Sequence, residues 1–114
     1  MTTVSFRMDG ARITAVAVSG HSGYGEAGGD IVCAAITSAV RLTECAINDV
    51  LGIGAAVKVK QADASLSLKL PGGLDAQNET VCQTLLTALM VYLTGLREEY
   101  PAHIMVSAED SNAE

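Results

Sequence analysis

Thr3 to Ser19 reads TVSFRMDGARITAVAVS, and this stretch sets the fold. Val4, Phe6 and Met8 alternate with Thr3, Ser5 and Arg7, the period-two pattern of a strand with one buried face. Asp9-Gly10 follows as a hairpin turn, because both residue types tolerate positive φ. Arg12 to Ser19 (RITAVAVS) is rich in β-branched residues and supplies the second strand. The chain therefore opens with a hairpin, the seed of a sheet.

Working outward, the same alternation returns twice. Val57 and Val59 alternate with Lys58 and Lys60, and Leu66, Leu68 and Leu70 alternate with Ser65, Ser67 and Lys69, with Gln61 to Ala64 as the turn. Between the two strand pairs, Ile31 to about Leu51 has helical spacing, with Val32, Ile36, Val40, Thr43 and Ile47 on the buried side. Asp30 is placed to cap it and Gly52 to stop it. A second helix is expected from about Asn78 to Glu99, buried along Val81, Leu85, Leu89, Tyr92 and Leu96, and ended by Pro101. Ile104 to Val106 reads as a last short strand. The order ββαββαβ predicts an α+β fold: a single sheet with both helices packed on one face, the other face being left polar by the alternation. Residues 1–108 are expected to form the one domain, and 109–114 an acidic, disordered tail.

Composition narrows the function. The 114 residues are 49% hydrophobic, enough for a core, and 7 basic against 13 acidic residues give a net charge of −6. That surface argues against nucleic acid as a partner and favours a basic protein or peptide. Three cysteines without a CxxC pair exclude a disulfide framework and a zinc ribbon, and no metal or other cofactor is implied. The start, MTTVSFR, lacks the apolar run of a signal peptide, and Thr37, Arg41 and Glu44 break the longest apolar region. The expectation is a reduced, cytoplasmic protein with no membrane partner, whose thiols are free for chemistry.

The chemistry concentrates in Gly20 to Ala35, GHSGYGEAGGDIVCAA. His21 ends a strand and Cys33 lies in the first turn of the expected helix, where free N–H groups and the dipole favour a thiolate. The same N–H groups could form an oxyanion hole. Ser22, Gly23, Tyr24, Gly25, Glu26, Ala27, Gly28 and Gly29 form the intervening loop, which is expected to bring His21 back onto Cys33 and to gate the substrate. Asp30 has two open roles, capping the helix or orienting His21 as a third triad member. Cys45 and Cys82, inside apolar helices, read as buried packing residues, and His103 as an exposed one. Gly23-x-Gly25-x-x-Gly28 matches a dinucleotide fingerprint, but its strand belongs to a hairpin and Asp30 stands where phosphate would bind.

This segment closely resembles the signature of the ribosomal-processing cysteine proteases, the Prp family: a His-x-Gly-Tyr start, a glycine-bearing loop and an Asp-Ile-Val-Cys-Ala-Ala helix opening. The length and element order resemble the family throughout. One departure is Thr37, where the family often has serine. The resemblance implies a homodimeric endopeptidase that removes an N-terminal extension from large-subunit ribosomal protein number twenty-seven, with Cys33 and His21 as its catalytic pair. The alternative is a non-catalytic, ribosome-associated binding module of the same fold.

Overall fold

The computed structural model describes residues 1–20, 27–60, 62 and 64–110, and of residues 27–30 the backbone alone. Strands β1 (Thr2–Asp9) and β2 (Arg12–Ser19) form the expected hairpin, and helix α1 (Ala27–Glu44) follows. It continues as a wider, π-helical turn, Cys45–Val50. Strands β3 (Ala56–Lys60) and β4 (Ser65–Lys69), helix α2 (Ala76–Glu99) and strand β5 (Ile104–Asp110) complete the order ββαββαβ. The five strands make one mixed sheet, β3-β4-β2-β1-β5. Every neighbouring pair is antiparallel except β1 and β5, which run parallel from Thr2↔Ile104 to Met8↔Asp110.

The opening hairpin turns on Gly10 and Ala11, one residue later than expected, because Asp9 is still paired with Arg12. Gly10 has φ +61°, so the glycine is used where the turn requires it. Alternation then sorts the faces. Val4, Phe6, Val16, Val18, Leu66 and Leu68 are buried under the helices with Ile13 and Ile104. From α1 and its extension, Val32, Ile36, Val40, Thr43 and Ile47 meet them, the stripe read from the sequence.

On α2 the buried stripe is Cys82, Leu86, Leu89, Leu93 and Leu96, about one residue round from the expected one. Leu86 and Leu93 take the core, while Tyr92 is 54% exposed. Asp75 caps α2 by accepting the Asn78 N–H at 2.7 Å, which starts the helix ahead of the expected Asn78. Three polar contacts then tie α2 to the start of β2. Arg12 Nε donates to Glu79 at 2.6 Å, the Ile13 N–H donates to Gln83 Oε1 at 2.8 Å, and Gln83 Nε2 donates back to the Ile13 carbonyl at 2.8 Å.

Four expectations change. The acidic tail does not begin at residue 109: Glu109 and Asp110 belong to β5, because β1 still offers Arg7 and Met8 as partners, and residues 111–114 lie outside the described residues. Cys45 is exposed, on the outer side of the helix, whereas Cys82 is buried as expected and its burial pushes the thiol pKa up. His103 is half-buried, its carbonyl accepting the Thr2 N–H at 2.9 Å. By length and composition, Ile31–Val50 and Ala76–Glu99 are each long and apolar enough to cross a membrane, contrary to the sequence reading, although each lays a buried stripe on the sheet.

Candidate active site

Helix α1 starts at Ala27, a turn earlier than the composition suggests. Glycine in a helix costs about 1 kcal/mol relative to alanine. Here Gly28 and Gly29 extend an already formed helix, so each added residue avoids the cost of nucleation. Ala27, Gly28 and Gly29 are therefore helix, not loop. Asp30 is the fourth residue of the helix, so it is not the N-cap. The other expected role of Asp30, orienting His21, depends on a side chain outside the described residues, as do all expectations on His21, Ser22, Gly23, Tyr24, Gly25 and Glu26.

Cys33 is then the seventh helical residue rather than the third. The N–H groups left free at a helix start belong to its first four residues. The backbone N–H of Cys33 lies beyond them, which removes the helix start as the simple source of an oxyanion hole at this thiol.

Cys33 is half-buried and borders a cleft of about 300 Å³ between α1 and the far end of the β3–β4 hairpin. On the helix side the cleft is walled by Cys33, Thr37 and Arg41, which follow one another at i, i+4 and i+8 and so share a face. This row flanks the buried Val32–Ile36–Val40 stripe, which turns the thiol to the edge of the core instead of into it. On the sheet side stand Val18 and Leu66, with Val59, Lys60, Ala64 and Ser65 from the hairpin.

Gly20, the residue joined to His21, is also part of this wall. It has φ +75°, and a Cβ placed there would come within 2.9 Å of the Met1 carbonyl oxygen. The end of β2 thus delivers the chain to residue 21 from the wall of the cysteine's own cleft. The structure brings Cys33 and Gly20 to one cleft and leaves Cys45, Cys82 and His103 outside it.

The lining made by Thr37, Arg41 and Lys60 is not evident in a linear reading. Arg41 and Thr37 could have been found from their helical spacing to Cys33, whereas Lys60 enters only through the hairpin. Arg41 lies 3.8 Å from Glu44, a loose pair that leaves its guanidinium half in water. Among the described residues no group of three or more His, Cys, Asp or Glu side chains comes together as a metal site.

A larger, apolar groove of about 500 Å³ lies elsewhere, between the outer faces of α1 and α2, and it does not include Cys33. Leu42, Leu85, Leu89 and Tyr92 are among its walls.

Comparison with known proteins agrees with this fold. No curated relative matches the chain. Among solved structures, an essential ribosomal processing protease Prp from S. aureus in complex with a substrate peptide superposes with a TM-score of 0.82 at 24% identity, over 96% of this chain and 100% of that one. The same S. aureus protease with a covalently linked product peptide gives a TM-score of 0.74 at 23% identity, over 96% and 100% of the two chains. SMU.848 from Streptococcus mutans gives 0.85 at 23% identity, over 97% and 96%. At these identities the likeness is one of fold. The family model of cysteine protease Prp matches residues 1–105, nearly the whole chain with Cys33 and its cleft inside the match, and the chain therefore belongs to the cysteine protease Prp family.

Proposed function

We propose that this protease removes the N-terminal extension of large-subunit ribosomal protein number twenty-seven, using Cys33 as nucleophile and His21 as base. The observation that carries the reading is a half-buried thiol in a peptide-sized cleft whose wall includes the residue preceding His21. The description of the S. aureus relatives, ribosomal processing proteases holding a substrate peptide and a covalently linked product peptide, supports both the substrate class and a covalent path.

His21 takes the thiol proton, and the Cys33 sulfur attacks the scissile carbonyl carbon. The tetrahedral intermediate collapses as the C–N bond breaks and His21 returns the proton to the leaving amine. Water, its proton taken by His21, then attacks the thioester and releases the new carboxylate and the free thiol. The enzyme works as a homodimer in the cytoplasm, where such a precursor is made.

A synthetic peptide spanning the extension junction tests this reading. The wild-type protein is expected to cut it at the junction. Cys33→Ala and His21→Ala are each expected to lose at least about a hundredfold in rate while keeping the melting temperature. Cleavage at the wild-type rate by Cys33→Ala would overturn the mechanism, and an uncut junction peptide would overturn the substrate.

A further inference from the structure

The sheet face turned away from the helices carries a charge opposite to that of the molecule. Strand register lays its side chains out in cross-strand rows. One row runs Lys58, Ser67, Ala17, Ser5, Ser107, and the next runs Ala56, Lys69, Ala15, Arg7, Glu109. Lys60 lies opposite Ser65, one step beyond. The chain as a whole has 13 acidic residues to 7 basic ones. Among the described residues of this face the ratio is inverted: Arg7, Lys58, Lys60 and Lys69, all exposed, stand against Asp9 and Glu109. The ion pairs Arg12–Glu79 and Arg41–Glu44 involve none of the four cations.

An ordinary solvated face accounts for polarity but not for this sorting by sign. Lysines on an edge strand guard against unwanted strand pairing. That explains Lys58 and Lys60 on β3, but not Lys69 on β4 or Arg7 on β1, which sit on inner strands with a neighbour on each side. Lys69 and Arg7 share a row two strands apart, about 10 Å. Between the cations lie only small side chains, Ser5, Ala15, Ala17 and Ser67, with no aromatic ring for a base to stack on. Met105, opposite Thr3 near the β5 edge, is the one large apolar side chain among the described residues of this face, and no aromatic anchor of the kind that dominates protein interfaces accompanies it. Charge with hydroxyls and without aromatic anchors suits phosphate groups, held by their charge and not by sequence.

We propose that this open sheet face binds the phosphate backbone of RNA. The net charge that argues against nucleic acid averages unlike surfaces, with Glu44, Asp49, Glu79, Glu98 and Glu99 all on the helix layer. The basic face stands on its own; the choice of RNA as its occupant rests on the proposed ribosomal substrate.

Fluorescence anisotropy of the full-length protein with a short labelled single-stranded RNA of mixed sequence tests the proposal. Binding should weaken as salt rises, with a log–log slope of about −2 to −3 for three or four phosphates. Lys60 borders the Cys33 cleft and is therefore left unchanged. The triple variant Arg7→Glu, Lys58→Glu, Lys69→Glu should lose at least about tenfold in affinity and most of the salt slope, while cutting the short junction peptide at the wild-type rate. A melting curve confirms that the variant is folded; if it is not, the single substitutions are read, each costing about one unit of slope. No RNA binding at low salt, binding unchanged by the substitutions, or tighter binding of a labelled poly-glutamate peptide would each overturn the proposal. A protein that cuts the peptide but ignores RNA overturns this inference alone, and one that binds RNA but does not cut overturns the protease reading alone.

Discussion

At Gly20 a side chain would be strained by φ +75° and would also meet the Met1 carbonyl oxygen at 2.9 Å. Gly20→Ala must then displace the Met1 backbone or the end of β2, and with either the path of the chain into His21. A left-handed backbone alone costs an ordinary residue about 1–2 kcal/mol. The expected result is a lower melting temperature together with a fall in kcat/KM on the junction peptide larger than the lost stability explains. Destabilisation with full activity would show that this turn does not position residue 21. The proposed pairing of Cys33 with His21 is read from the sequence alone, because Gly20 to Ala35 is continuous and its residue types are specific. The constraint on Gly20 is not, because the atom it would strike belongs to Met1, just ahead of β1. The position of Cys33 in its helix is misread for a different reason. Gly28 and Gly29 look like loop in isolation, yet they extend a helix already formed by the residues after them.

Between elements, Gln83 on α2 makes a two-way polar join with both backbone groups of Ile13, a residue 1% exposed. Gln83→Ala leaves a partly buried N–H and a carbonyl without that partner, which costs about 1–3 kcal/mol. Gln83→Glu can still accept from the Ile13 N–H but cannot donate to its carbonyl, so it should fall between alanine and wild type. Denaturant midpoints compare the three, and an alanine variant within about 0.5 kcal/mol of wild type would show that the join contributes nothing. The elements themselves are well marked in the sequence, through period-two strands and the Val32–Ile47 stripe. Their ends are less so. The α2 cap is visible in hindsight as Asp75 three residues before Asn78, but the core side of α2 depends on which of two adjacent apolar stripes the sheet accepts. The length of β5 likewise depends on a partner strand at the other end of the chain.

Over the whole molecule, the helix layer presents large apolar side chains to solvent: Leu42 is 71% exposed, Val91 66% and Tyr92 54%, with Leu42 and Tyr92 on the walls of the groove between the helices. A second copy docking there would give the proposed homodimer a buried centre. Light scattering at micromolar concentration should then return the dimer mass for the wild type and the monomer mass for Leu42→Glu combined with Tyr92→Glu, with the fold retained because both side chains are exposed. A monomeric wild type, or a dimeric double variant, would remove the groove from the assembly. The sequence shows that α2 is too apolar to stand alone, but not that α1 shares the exposed surface, since that follows only from packing the two helices side by side. The parallel pairing of β1 with β5 bears on a different property, resistance to force. A pull applied at Thr2 and at Asp110 acts on opposite ends of two strands held from Thr2↔Ile104 to Met8↔Asp110, so it slides one strand along the other. The ladder is loaded all at once instead of opening one bond at a time, and the join that closes the sheet is also the one that would resist a machine threading the chain from its ends.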